Sequence, residues 1–282
     1  MTKLHPLVVT TGLIGGLFLS SSALAEDKLQ EILNEREMTV GYIPYDVLTY
    51  RDEETNEITG FFPRLLERIA AEMNIPPDNI EYVATSWSDF ATGLQTDKYD
   101  FTIAGLFSTI PRATSASFTD PLFYLGSSAM VNADDERFDD VDDVMDLDKE
   151  EYTIAVVSGE QSHEYVQQHF DNADIEVIDS SDLTAAMLQV STGRADVAMS
   201  DHFVVQKFVN NHEGMEDLFA DNPYNMKPIT WAVSHEDQQL LTFLNNALNY
   251  LGSTGELQEL MRDSEYDIVP FIRARREFHK VN

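Results

Sequence analysis

The feature that most constrains this 282-residue chain is a strand–helix alternation that runs twice. "MTVGYI" (38–43) has the β-branched and aromatic make-up of a buried strand, and it leads into the turn-rich "PYDVLTYRDEETNEITG". "FFPRLLERIAAEMN" (61–74) then places Phe61, Leu65, Leu66, Ile69, Ala70 and Met73 on one helical face. "NIEYVAT" predicts a second strand, "WSDFATGLQTD" a second helix and "YDFTIAGLF" a third strand. A βαβαβ order demands a parallel sheet covered by helices, because a parallel neighbour is reached only by a crossover. The order repeats in "YTIAVVSG" (152–159), "EQSHEYVQQHF", "DIEVIDS", "SDLTAAMLQVSTGR" and "ADVAMSD", which ends at Asp201. Two units of similar length predict an α/β fold of two lobes rather than one continuous sheet.

The remainder predicts how the lobes join. "PITWAVSH" reads as one more strand, and "EDQQLLTFLNNALNYLGSTGELQELMRD" as two amphipathic helices broken at Gly252–Gly255. This tail has no alternation of its own, so it packs back on a lobe. The chain therefore crosses between lobes near residues 130 and 226, and two crossings make a hinge. The expected division is 26–130 with 228–282 for lobe 1 and 131–227 for lobe 2.

The first 25 residues read as a signal peptide. Lys3 precedes an apolar stretch from Leu7 to Leu19, and Ala23-Leu24-Ala25 is a small-x-small cleavage pattern. The apolar stretch is shorter than the roughly 20 residues a membrane-crossing helix needs. Without cysteine the chain has neither disulfides nor a lipid anchor at a mature N-terminal cysteine. The expectation is export to the periplasm as a soluble protein, not a lipoprotein and not membrane-embedded.

Charge excludes one partner class. With 50 acidic against 18 basic residues the net charge is −32, and a nucleic-acid surface needs a basic patch. The acidic run "DDERFDDVDDVMDLDKEE" (134–151) lacks the ligand order and central glycine of a calcium loop, so it reads as a solvated face and no metal is expected. Acid spread over the whole chain, with few lysines, fits adaptation to high salt, which screens mutual repulsion. The cations of "PFIRARREFHKVN" (270–282) read as a helix bonded to the protein's own acidic surface.

Arg112 stands alone in this setting, inside "STIPRATSASFTDPLFY" (108–124). Its segment is one of several ordered motifs. "GYIPYDVLTYRDEETNEITGFFPRLLERIAAEM", "TSWSDFATGLQTDKYDFTIAGLFSTIPRATSASFTDPLFY", "VSGEQSHEYV" and "GRADVAMSD" together resemble the exported solute-binding proteins of ABC importers, in the branch that mostly binds polar amino acids. The resemblance extends from about Leu29 to Arg262. It implies a two-lobed periplasmic-binding-protein fold, each lobe a mainly parallel sheet flanked by helices, joined by a two-strand hinge.

The resemblance also implies a division of labour in the cleft. Arg112 takes the position that clamps a ligand carboxylate, a task suited to the forked guanidinium. A surface salt bridge is the plain alternative. Asp201 takes that of the ammonium partner, in competition with an ordinary exposed acid. Thr109 matches a residue donating through its amide and hydroxyl, and Gly105 and the Phe107 backbone N–H line the same turn. Gly159, Glu160 and Gln161 open a helix whose N-terminal N–H groups favour anions, although simple N-capping would use the same residues. Tyr45 and Trp87 supply aromatic walls, or else core or lid packing.

Some positions depart from the family pattern. Phe107 replaces a hydroxyl residue, Glu160 and Gln161 replace small or hydroxylated ones, and "GFFPRL" replaces a common Gly-Phe-Asp-x-Asp-Leu. The ligand class therefore stays open among an amino acid, a derivative of one, or a compatible solute. The leading expectation is a monomeric capture protein that closes on a small polar solute and delivers it to an inner-membrane ABC permease, without cofactor or catalysis. Two alternatives remain: an enzyme on the same scaffold, resembling cyclohexadienyl dehydratase, with Glu160 or His202 as general acid, and a sensor that reports to a membrane receptor.

Overall fold

In the computed structural model of the protein, the structure describes residues 27–262. The expected signal segment and basic tail lie outside those residues.

A short first helix, α1 (Lys28–Glu35), precedes strand β1 (Met38–Tyr42). The turn-rich stretch holds a small hairpin, β2 (Tyr50–Arg51) with β3 (Ile58–Thr59). Helix α2 (Phe61–Glu72) buries Phe61, Leu65, Leu66, Ile69 and Ala70, the face its spacing predicts. Strand β4 (Ile80–Ala84), helix α3 (Phe90–Gln95) and strand β5 (Phe101–Phe107) complete the first unit. All seven residues of β5 are buried, as expected for a strand covered on both faces.

Strands β6 (Ser117–Phe118) and β7 (Phe123–Asn132) lead into the second unit. That unit comprises β8 (Thr153–Val157), α4 (Gln161–His169), β9 (Asp174–Ile178), α5 (Thr184–Ser191) and β10 (Val197–Asp201). Helix α6 (His202–Asn211) follows, then β11 (Met215–Asp217), β12 (Tyr224–Val233), α7 (Gln238–Thr254) and α8 (Glu256–Arg262).

The strand order is β4-β1-β5-β12-β7-β10-β8-β9. Strands β4, β1 and β5 are mutually parallel, as are β10, β8 and β9. The crossings are the ten-residue strands β7 and β12. Strand β7 pairs with β12 through Phe123–Ser127, with a shift in register, and with β10 through Ser127–Met130. Strand β12 returns the chain, pairing with β7 over Tyr224–Ile229 and with β5 over Ile229–Val233. The two-lobed α/β arrangement is as expected, each lobe with its own parallel strands, but the hydrogen-bond ladder runs on through the joining strands instead of breaking between the lobes. The reason is that each long strand is shared, one end serving each lobe.

Three further differences from expectation have local causes. Strand β12 begins at Tyr224, because the polar stretch before Pro228 pairs with β7. Gly252 lies inside α7, and the helix stops only at Gly255, whose φ of 91° gives a left-handed C-cap. Helix α6 was not anticipated. Its Phe203, Val204, Val205 and Phe208 are buried, but it starts at His202, with no turn signal after β10.

Period-2 alternation sorts the core of the second lobe. Ile154, Val156, Val197 and Met199 pack with Phe138, Leu147 and Phe170 on one face. Ala155, Val157 and Ala198 point the other way, into a cluster that runs through α5 and α6 into the first lobe. The C-terminal helices pack on lobe 1, where Arg68 donates to Glu256 at 2.8 Å. In the acidic run the carboxylates cap turns: Asp143 and Asp146 form a reciprocal capping box.

Candidate functional site

The strand ends and the loops after them converge where the two lobes meet. The turn after β5 carries Arg112, only 7% exposed despite its charge. Its Nε donates to Glu164 Oε1 at 2.6 Å and its Nη2 to the Gly159 carbonyl at 2.7 Å, both across the cleft. Its Nη1 reaches the Phe107 carbonyl at 3.4 Å, and the Phe90 ring lies 5.9 Å below the guanidinium. Thr109 Oγ1 donates to the second oxygen of Glu164 at 3.2 Å.

Asp201 ends β10 and is 1% exposed. Its Oδ2 accepts from the Tyr45 hydroxyl, a further bond between lobes, while Oδ1 is buried without a partner among the described residues. Tyr45 meets the edge of Trp87 at 5.3 Å and the Phe203 ring at 5.4 Å. Trp87 Nε1 in turn donates to the Ser181 carbonyl at 3.2 Å. Gly105, with φ of 67°, lets Phe62 and Tyr45 close over β5: a Cβ there would fall 2.7 Å from Phe62. The structure thus brings all ten expected residues into one contact network at the lobe junction.

The N-terminus of α4 differs from what its backbone suggests. Glu160 is its N-cap and accepts from the Ser162 N–H at 2.7 Å, while the Gly159 N–H donates to His163 Nδ1 at 3.0 Å. The Gly159 and Ser162 backbone N–H groups are therefore engaged within the turn itself. Gln161 accepts from Ser127, leaving its amide nitrogen buried and unpartnered, as are Glu160 Oε1 and the Ser162 hydroxyl.

Burial dominates the electrostatics. It pushes the Glu160 carboxyl up to about 7, against the pull of the Ser162 N–H and Arg112. It also raises Asp201 well above the usual carboxylate range, helped by the charge of Glu160. Lys227, half-buried on β12, is lowered by burial and stands close enough to Glu164, Arg112, Glu160 and Asp201 to feel their charges. Burial likewise lowers His163. Three carboxylates (Glu160, Glu164 and Asp201) thus share the cleft with two cations, Arg112 and Lys227.

Glu164 and Lys227 were missed from sequence. The usable signal for Glu164 was its spacing, one helical turn beyond Glu160. Lys227 is the lone lysine of a strand that begins four residues before the segment read as strand. A cavity of about 250 Å³ is lined by Tyr45 together with Pro44, Leu183, Val204, Phe208 and the Lys207–Asp46 ion pair. His202, the alternative general acid, lies with Nδ1 3.7 Å from Asp217. Among the described residues no group of His, Cys, Asp or Glu can hold a metal ion, and no helix is long and apolar enough to cross a membrane.

Residues 38–263 match the model of the bacterial extracellular solute-binding proteins, family 3. The chain belongs to this family. A protein of Sinorhizobium fredii described as an amino-acid ABC transporter periplasmic-binding protein is 23% identical over 87% of this chain and 82% of its own. Among solved structures, the ancestral amino acid-binding protein AncCDT-1, a precursor of cyclohexadienyl dehydratase, is 25% identical with a TM-score of 0.73, covering 84% of this chain and 98% of its own. A protein of Wolinella succinogenes described as the binding component of an ABC transporter, complexed with lysine, is 28% identical with a TM-score of 0.71, covering 80% and 94%. As a family 3 solute-binding protein, the chain is a receptor for a small solute, and the lobe junction described above is where its two α/β units meet. The two strands that join the lobes are β7 and β12.

Proposed function

We propose that the cleft of this solute-binding protein takes a basic amino acid. The observation that carries this is the excess of acid: three carboxylates against two cations, with Glu160 Oε1 and Asp201 Oδ1 buried and unpartnered. Burial raises the Glu160 and Asp201 carboxyls for want of a cation, and a ligand of net charge +1 supplies one, whereas a zwitterion brings a further carboxylate with its ammonium. Buried charges are tolerated when paired, so the compensating cation belongs to the ligand.

In this reading the ligand's carboxylate goes to Arg112 and Thr109, and its ammonium to the free oxygens of Asp201 and Glu160. The side chain lies against Tyr45 and Trp87, where a cation also gains from the ring faces. Phe107 contributes its backbone and Gly159 its close approach. Gln161 offers its unpartnered amide nitrogen, and Gly105 admits the Tyr45 ring. The lysine in the Wolinella succinogenes complex supports the ligand class.

The same reading places the lobe boundaries near 130 and 227 and treats residues 1–25 as a signal removed on export to the periplasm. It makes the protein a monomer without a lipid anchor and without turnover. Calorimetric titration with lysine, arginine and glutamine tests it. The basic amino acids bind, glutamine binds more weakly, Arg112→Ala and Asp201→Ala abolish binding, and the ligand is recovered unchanged. Tighter binding of a neutral or acidic amino acid, or consumption of the ligand, overturns it.

A further inference from the structure

The Arg112 guanidinium is already occupied by a carboxylate from the protein itself. Glu164 lies in the first turn of α4, on the lobe opposite Arg112, yet both its oxygens are held by lobe 1: Oε1 by Arg112 Nε at 2.6 Å and Oε2 by Thr109 Oγ1 at 3.2 Å. These two donors are the ones assigned above to the ligand carboxylate. The ion pair is no loose surface contact, since the Arg112 side chain is 6% exposed and that of Glu164 20%. We propose that Glu164 is an internal stand-in for the ligand's carboxylate, holding the empty lobes together and setting specificity because every ligand must exchange with it.

The inference rests on the capture reading and adds to it. When a ligand carboxylate takes Arg112, Glu164 loses its guanidinium and Thr109 partners and stays in the cleft as a released anion. A neutral amino acid offers that anion nothing and sets a second carboxylate beside it. A ligand with a distal cation pairs with it, so the exchange conserves the number of ion pairs. Lys227, half-buried on β12, feels Glu164 first, but it also feels Glu160 and Asp201, so its field is divided among three carboxylates. Discrimination therefore comes partly from repulsion of the wrong ligand, as selective sites commonly arrange.

Arginine and its uncharged isostere citrulline separate these effects. With the purified protein, arginine binds more tightly than citrulline. In Glu164→Gln, which keeps size but not charge, citrulline binding strengthens by roughly tenfold, the arginine-to-citrulline preference falls, and Glu164→Ala moves in the same direction. Small-angle scattering gives a readout without ligand: the empty variants have a larger radius of gyration than the empty wild type, and arginine restores compactness. Unchanged or weaker citrulline binding in both variants overturns the specificity role, and equal radii of gyration overturn the holding role. If no amino acid binds even the wild type, the capture reading fails on its own account, and the scattering comparison alone decides whether Glu164 holds the lobes.

Discussion

The Tyr45 hydroxyl donates to Asp201 across the cleft, tying the loop after the first strand of one lobe to the last parallel strand of the other. The two residues are 156 positions apart, and both are buried to within 2%. Asp201 can keep a charge there only if something satisfies it, and the Tyr45 hydroxyl donates to one of its oxygens while the other has no hydrogen-bond partner among the described residues.

Tyr45→Phe leaves the ring packing against Trp87 and Phe203 in place and removes that donor. A buried acceptor left unsatisfied costs about 1–3 kcal/mol. Urea denaturation of the empty protein near neutral pH is expected to show a loss of this size. A loss below about 0.5 kcal/mol, the level of an ordinary surface change, would mean that Asp201 is satisfied without Tyr45.

Closure itself is open to test at Gly159. Its φ is +72°, and a Cβ there would fall 2.7 Å from the Ser88 nitrogen on the opposite lobe. Gly159→Ala thus combines backbone strain of about 1–2 kcal/mol with a clash that exists only when the lobes are shut. Gly193 is the control, with φ of +69° and open space around it. Both variants should lose stability, but only Gly159→Ala should lose ligand affinity, by roughly tenfold or more, because only it penalises the closed state. Equal affinities in the two variants would show that Gly159 does not limit closure.

The parts of this architecture legible in the sequence are those set by local pattern. The apolar run of β5 and the i, i+4 face of α2 announce themselves because burial on a strand or a helix leaves a period. Strand β12 was under-read for the opposite reason: its first half is polar and acquires strand geometry only by pairing with β7. Arg112 stood out because cations are rare here. Glu164 had only its one-turn spacing from Glu160, a weak signal in a chain with 50 acidic residues until the fold sets it against Arg112. Contacts between lobes, such as Tyr45 with Asp201, depend on closure and leave no trace in spacing.

The net charge of −32 makes salt a control variable. The screening length is about 10 Å at 0.1 M salt and about 3 Å at 1 M, so repulsion between exposed acids several residues apart largely vanishes over that range. The melting temperature of the empty protein is expected to rise as sodium chloride increases from about 0.1 M to about 1 M. A flat or falling curve would show that the acidic face, much of it engaged in caps and turns, does not destabilise the fold.

Glu160 makes stability and binding depend on pH in opposite senses. Burial raises its carboxyl from the ordinary 4.5 to about 7, so between those values the folded protein holds a proton that the unfolded chain has lost. Its contribution is fully present below about 4.5 and is lost as pH rises through about 7. A ligand ammonium beside Glu160 and Asp201 favours their ionised forms, so binding expels protons and affinity rises with pH across the same window. Glu160→Gln cannot ionise. Relative to this variant, the wild type should lose stability from about pH 5 to about pH 8, as read by melting temperature without ligand. With lysine present, the wild type should gain more stabilisation than the variant over that range. Parallel curves for the two proteins, with and without lysine, would remove Glu160 from the site's proton balance.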